Sequence, residues 1–121
     1  MNHPRLHHVS IPRPPGSHDA ARAFYTGMLG LAECLVPDAL SAIDLVWFIL
    51  GDGELHLYAQ EPINEHVGRH FCMEVDDLAG LHARLTEAGY TPTDTIPIPG
   101  RPRFVCDDPF GNLIEFTTIE E

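Results

Sequence analysis

The sequence predicts an α+β fold made from two copies of one strand–helix–hairpin plan. Three observations carry this. Two short hairpins stand at matching places: VWFIL (46–50) with ELHLYA (54–59), and RFVC (103–106) with NLIEFTT (112–118). Each hairpin follows a helix-patterned stretch, and each helix follows a strand. The spacing also repeats, since His8 to His70 is 62 residues and His56 to Glu115 is 59. A repeat of this kind sets the architecture before any local detail does.

Residues 6–11 (LHHVSI) read as a strand, followed by a PRPPG loop. Ser17 is placed as the N-cap of a helix over about 18–28 that ends at Gly30. After a stretch rich in Pro, Asp and Ala comes the first hairpin, with Gly51-Asp52-Gly53 as its turn. In the second half, residues 70–75 (HFCMEV) form a strand. Asp76 or Asp77 caps a helix over about 78–88, closed by Gly89. TPTDTIPIPG then leads to the second hairpin, whose turn is DDPFGN. The modules run over about 1–60 and 66–121 and are expected to make one domain, a common size for 121 residues.

Composition narrows the function. The formal charge of −11 opposes binding to phosphate backbones, so no nucleic-acid partner is expected. All seven basic residues are arginine. Without lysine there is neither a Schiff-base nucleophile nor a P-loop, whereas arginine suits a carboxylate-bearing substrate. No apolar run approaches membrane-span length, and MNHPRLHHVSIPRP lacks the apolar core of a signal peptide. Cys34, Cys72 and Cys106 form no CxxC pattern and leave an odd thiol in any pairing. Three reduced thiols in a cytoplasmic protein are therefore expected. His3, His18, His66 and His82 fall at a terminus, a helix start, a loop and a helix, where exposure is the default.

Strand side chains alternate between faces, so parity sorts the remaining histidines. Val9 and Ile11 pack, leaving His8 and Ser10 opposite. Leu55 and Leu57 pack, leaving Glu54, His56 and Tyr58 opposite. Phe71, Met73 and Val75 oppose His70, Cys72 and Glu74, and Ile114 with Phe116 opposes Leu113, Glu115 and Thr117. A lone strand histidine is more often a surface or satisfied core residue than a ligand. His8, His56, His70 and Glu115 differ by their related placement, in the first and last strands of both repeats and away from the helices. On a shared cupped sheet they would converge, and three imidazoles with a carboxylate suit Zn, Ni, Fe, Mn or Co. Trp47 and Phe48 point to opposite faces, so that one can line the cup and the other the core, and aromatic core packing is the expectation for both.

LHHVSI, the AFYTGMLGL helix ending, ELHLYAQ, GRHFCMEV with DDLAGLHARLTEAG, and RFVCDDPFGNLIEF together resemble the vicinal-oxygen-chelate superfamily of glyoxalases, bleomycin-resistance proteins and extradiol dioxygenases. The resemblance spans almost the whole chain. It implies two paired βαβββ modules forming a cupped sheet around a metal site. The superfamily's four metal positions fall on His8, His56, His70 and Glu115. Two departures bear on activity. Val105 stands where the extradiol signature resembles a tyrosine, and His56 stands where bacterial-type glyoxalase I resembles a glutamate. His56 also precedes His70 by 14 residues, a spacing similar to that of the acid–base histidine of the dioxygenases. His56 is therefore a fourth ligand or a base behind a triad of His8, His70 and Glu115.

The expected chemistry is that of a metal-dependent glyoxalase-like lyase or isomerase acting on a small α-oxygenated carbonyl substrate. Glu115 is the first candidate base and His56 the second. An extradiol-type dioxygenase on the same triad and a metal-free, bleomycin-type binding protein are the alternatives. Arg69, Arg101 and Arg103 lie near the ends of the site strands, and holding a substrate carboxylate and plain surface exposure are both open to them. The resemblance also implies a homodimer.

Overall fold

The computed structural model describes residues 5–61 and 69–119. The chain divides into two compact units, Met1–Pro62 and Ile63–Glu121. The first contains β1 (His8–Arg13), α1 (His18–Ala21) running into a π-helical segment (Arg22–Met28), β2 (Glu33–Cys34), a short 3₁₀ turn (Asp38–Leu40), β3 (Leu45–Leu50) and β4 (Gly53–Ala59). The second contains β5 (His70–Glu74), α2 (Leu78–Glu87), β6 (Thr93–Asp94), β7 (Arg103–Asp107) and β8 (Leu113–Thr117). Both are βαβββ modules. Each has one four-stranded sheet, ordered β1-β4-β3-β2 and β5-β8-β7-β6, whose first and last strands pair in parallel. His3 and His66 lie outside the described residues.

One face of each sheet is apolar. Phe48, Leu55 and Leu57 are buried with Ala21, Phe24 and Tyr25 of the first helix, and Tyr25 stands 5.4 Å from Phe48 between ring centres. In the second unit Met73, Phe104, Ile114 and Phe116 are buried together with Leu81 and Leu85, one helical turn apart on α2. Each such side chain contributes about 1.5–3 kcal/mol by leaving water. Asp77 caps α2 by accepting from the Gly80 backbone N–H at 3.0 Å.

Several expectations are corrected. Only His18–Ala21 of the first helix is α-helical. The turns beyond it widen, with Leu29 N–H donating to Phe24 O five residues back, and the adjacent Phe24 and Tyr25 are both fully buried. Ser17 occupies the N-cap position without capping, because its hydroxyl donates to Pro14 O at 2.5 Å. The first strand continues through Pro12 to Arg13, which an edge strand tolerates. Gly53 belongs to β4 and not to the turn. A Cβ there would meet His7 O at 2.6 Å, so glycine is required where β1 and β4 approach. The two-residue strands β2 and β6 are too short to show any alternation.

Arg13 ends β1 on the packed face and its side chain is fully buried. It pairs with Asp44, which also accepts from Gly16 N–H at 3.0 Å and lies 2.9 Å from His18 Nε2. His18 is thus part of an ionic cluster and not a bystander. His82 packs edge-on against Phe104.

Candidate functional site

In the first unit the site residues lie on the face of the sheet opposite the helix. Register places Ser10 beside His56 on one side and Trp47 directly opposite it on the other. Trp47 stacks on the His56 ring at 3.6 Å with a 4° tilt, and His8 covers the other side at 4.1 Å and 19°. The imidazole is thereby slotted between two rings, 8% exposed. Trp47 is not a core aromatic like Phe48, which is buried on the helix side. Glu54, two residues before His56 and so on its face, lies 2.8 Å from Nε2. With that carboxylate accepting, Nε2 carries the proton and Nδ1 keeps its lone pair. The hydrogen bond from His56 holds the Glu54 carboxyl below the usual range, against desolvation. His8 itself is exposed, its Nδ1 3.0 Å from that of His7.

In the second unit Glu115 is 5% exposed in the middle of β8. Cys72 pairs with it from β5 and Val105 from β7. Its Oε1 lies 3.1 Å from His70 Nε2. Its Oε2 faces two guanidinium groups, Arg103 Nη1 at 3.4 Å and Arg101 Nη2 at 3.6 Å. The hairpin turn supports this position. Asp108 is buried and accepts from Phe110 N–H, Asn112 N–H and Asn112 Nδ2 at 2.8–2.9 Å, which closes the DPFGN turn and sets where β8 begins. Partial burial pushes the Cys72 thiol up and the Glu115 charge pushes the same way, so at neutral pH Cys72 is a thiol and not a nucleophile. An open cavity of about 280 Å³ lies alongside, walled by Thr91, Thr93, Val105, Cys106, Asp107 and Leu113.

Each unit therefore brings together one pair of the four residues singled out by sequence. Among the described residues no group of three or more His, Cys, Asp or Glu stands close enough to hold an ion. Glu54 is a site-face residue to which sequence reasoning assigned no role, and Trp47 is one for which it preferred core packing over lining the site. The signal for Glu54 is its parity with His56. For Trp47 it is a turn of two residues, Gly51-Asp52, which sets Trp47 opposite His56.

The profile of the Glyoxalase/Bleomycin resistance protein/Dioxygenase superfamily matches residues 5–116. The chain belongs to this superfamily. A solved glyoxalase family protein from Bacillus anthracis is 30% identical, with a TM-score of 0.88 over 99% of both chains. A lactoylglutathione lyase from Agrobacterium tumefaciens shares the fold at 22% identity and a TM-score of 0.71, covering 98% of this chain and 96% of that one. So does the fosfomycin resistance protein FosX from Mesorhizobium loti, at 19% identity and a TM-score of 0.74 over 94% and 90%. Comparison with curated proteins yields no match. Superfamily members commonly use a divalent metal and bind small molecules. No helix among the described residues is long and apolar enough to cross a membrane.

Proposed function

We propose that the chain is a metal-dependent lyase or isomerase of the glyoxalase kind, acting on a small α-oxygenated carbonyl compound. The observation that carries this reading is the His70–Glu115 pair. Two donor atoms about 2.0–2.2 Å from one ion, at tetrahedral to octahedral angles, are about 2.8–3.6 Å apart. His70 Nε2 and Glu115 Oε1 are 3.1 Å apart. That pair fits two neighbouring positions on a divalent transition ion such as Zn, Ni, Fe, Mn or Co, and His8 and His56 are proposed to complete the ligand set of His8, His56, His70 and Glu115. His56 would offer Nδ1, its Nε2 being turned to Glu54. When bound, the metal supplies Lewis acidity to two neighbouring substrate oxygens.

The proton work falls to Glu115. With Oε1 turned to His70, Oε2 is the accepting atom for a proton on the carbon beside the carbonyl. Arg103 at 3.4 Å and Arg101 at 3.6 Å are near enough to orient it and too far to saturate it. The same atom returns the proton to the neighbouring centre, so that the net change is an isomerisation. Val105, in register with Glu115, brings no proton donor, which favours this reading over ring cleavage by a dioxygenase. The chain is proposed to work as a homodimer, a state that sedimentation reads directly.

The test is Glu115→Gln at saturating nickel or zinc. The amide still offers an oxygen ligand but cannot take a proton, so turnover of a hemithioacetal or similar substrate should fall about 10²–10⁴-fold with one ion per chain retained. Full rescue by added metal would move the base to His56. A protein purified without chelator that carries no divalent ion would point to a binding protein.

A further inference from the structure

Resting on that reading, we infer that the substrate is a short oxyacid, and that Arg101 is the arm that binds its carboxylate. The two arginines beside Glu115 are not equivalent. Arg103 is committed to the protein: Nε and Nη2 both donate to Ile96 O, at 3.2 and 2.9 Å, while Nη1 faces Glu115, and the side chain is 18% exposed. Arg101 is 46% exposed and approaches Glu115 only at 3.6 Å, beyond a good hydrogen bond. Its guanidinium has no other acceptor among the described residues. The backbone holds its base in place, since Arg101 N–H donates to Ile98 O at 3.0 Å.

Charge points the same way. Glu115 carries one negative charge, and Arg103 alone balances it. Arg101 is a second cation on the same oxygen, within a chain whose net charge is −11. An ordinary surface arginine would have many exposed carboxylates to choose from and would gain little from any of them. Here it stands over a buried carboxylate that is already paired, with its planar fork of N–H donors unfilled among the described residues, the geometry that receives a second carboxylate in bidentate fashion.

Distance limits the substrate. Arg101 Nη2 and the accepting Oε2 of Glu115 are 3.6 Å apart. An anion held by one and a C–H group presented to the other must then lie within a few bonds of each other. A short carboxylic acid that also carries the hydroxy-carbonyl pair, a 3-hydroxy-2-oxo acid or its 2-hydroxy-3-oxo isomer, meets this condition, the proton leaving the hydroxyl-bearing carbon and returning to the adjacent carbonyl carbon. A long adduct with its carboxylate at a remote end does not.

The experiment compares lactate with lactamide, the same skeleton without the charge, by NMR titration of chelator-treated protein. Because no metal is present, the outcome does not depend on the ligand set or base assigned above, which Glu115→Gln and metal content test separately. Wild type should bind lactate at least about ten-fold more tightly than lactamide. Arg101→Gln should erase that preference with its spectrum otherwise unchanged, and Arg101→Lys should retain part of it. If wild type shows no preference for lactate, or Arg101→Gln keeps it, the anion arm is overturned.

Discussion

The two sheets share one strand order and one pairing scheme, yet they treat equivalent positions in opposite ways. Ser10 and Trp47 flank His56 as Cys72 and Val105 flank Glu115, so His56 and Glu115 occupy the same place in their modules. In the first unit a flat indole lies over the functional ring, and orientation comes from stacking. In the second, the small Val105 leaves space, and orientation comes from guanidinium groups on a carboxylate. The difference teaches that a repeated scaffold specifies where a functional group stands, while its cross-strand neighbour decides what environment it has. A similar contrast holds at the strand ends. Arg13 is buried in an ion pair with Asp44 where the equivalent position of the second unit carries the apolar Val75.

The largest expected effect breaks the contrast at the strand ends. Arg13→Ala should destabilise the protein by about 3 kcal/mol in urea unfolding, since it empties the space of a fully buried side chain and leaves Asp44 with only Gly16 N–H and His18 as partners. Arg13→Met with Asp44→Leu should recover most of this loss, because the second unit already manages the position without charges. A double variant no more stable than Arg13→Ala would show that the ion pair is indispensable to the first unit. The pair also predicts acid sensitivity. The hydrogen bond from Arg13, followed by that from Gly16, holds the Asp44 carboxyl below its ordinary value. A carboxyl lowered in the folded state stabilises above its unfolded pKa of about 3.9 and loses that contribution as pH falls through the folded value. Stability should therefore decline below about pH 4, and Asp44→Asn should flatten that part of the curve.

Next in size is Trp47→Leu, which makes the first unit resemble the second. Loss of the ring over His56 should cost about 1–2 kcal/mol, as a partly exposed aromatic contact does. Metal affinity should fall while Glu115-dependent proton transfer at saturating metal is preserved. Equal losses in affinity and in saturated rate would mean that Trp47 contacts substrate.

The smallest effect is expected on the surface. Arg22 and Glu33 form a two-pronged pair at 2.8 and 3.1 Å, with both side chains more than a third exposed. Arg22→Ala should change stability by less than about 1 kcal/mol, and less again in high salt. A loss comparable to that of Arg13→Ala would erase the distinction between the buried and the exposed pair.

Much of this architecture was legible in the amino-acid order. Alternation assigned faces to β1, β4, β5 and β8, because a pleated strand has a period of two whatever it pairs with. Asp76 or Asp77 and Gly89 marked the ends of α2, the structure choosing Asp77 as the cap, and DPFGN marked a turn, because such residues act on their own backbone within a few positions. Partners were not legible in this way. That Trp47 and not Phe48 lies opposite His56 depends on a two-residue turn, and Gly53 is excluded from that turn by the approach of His7, more than forty residues earlier in the chain. The burial of Arg13 depends on Asp44 reaching it from the start of β3, and the division of labour between Arg101 and Arg103 depends on which of them meets the Ile96 carbonyl. Local backbone chemistry is written in neighbouring residues, so sequence alone determined the long strands, their faces and the second helix. Register and charge pairing join residues far apart in the chain, and only the tertiary structure could decide them.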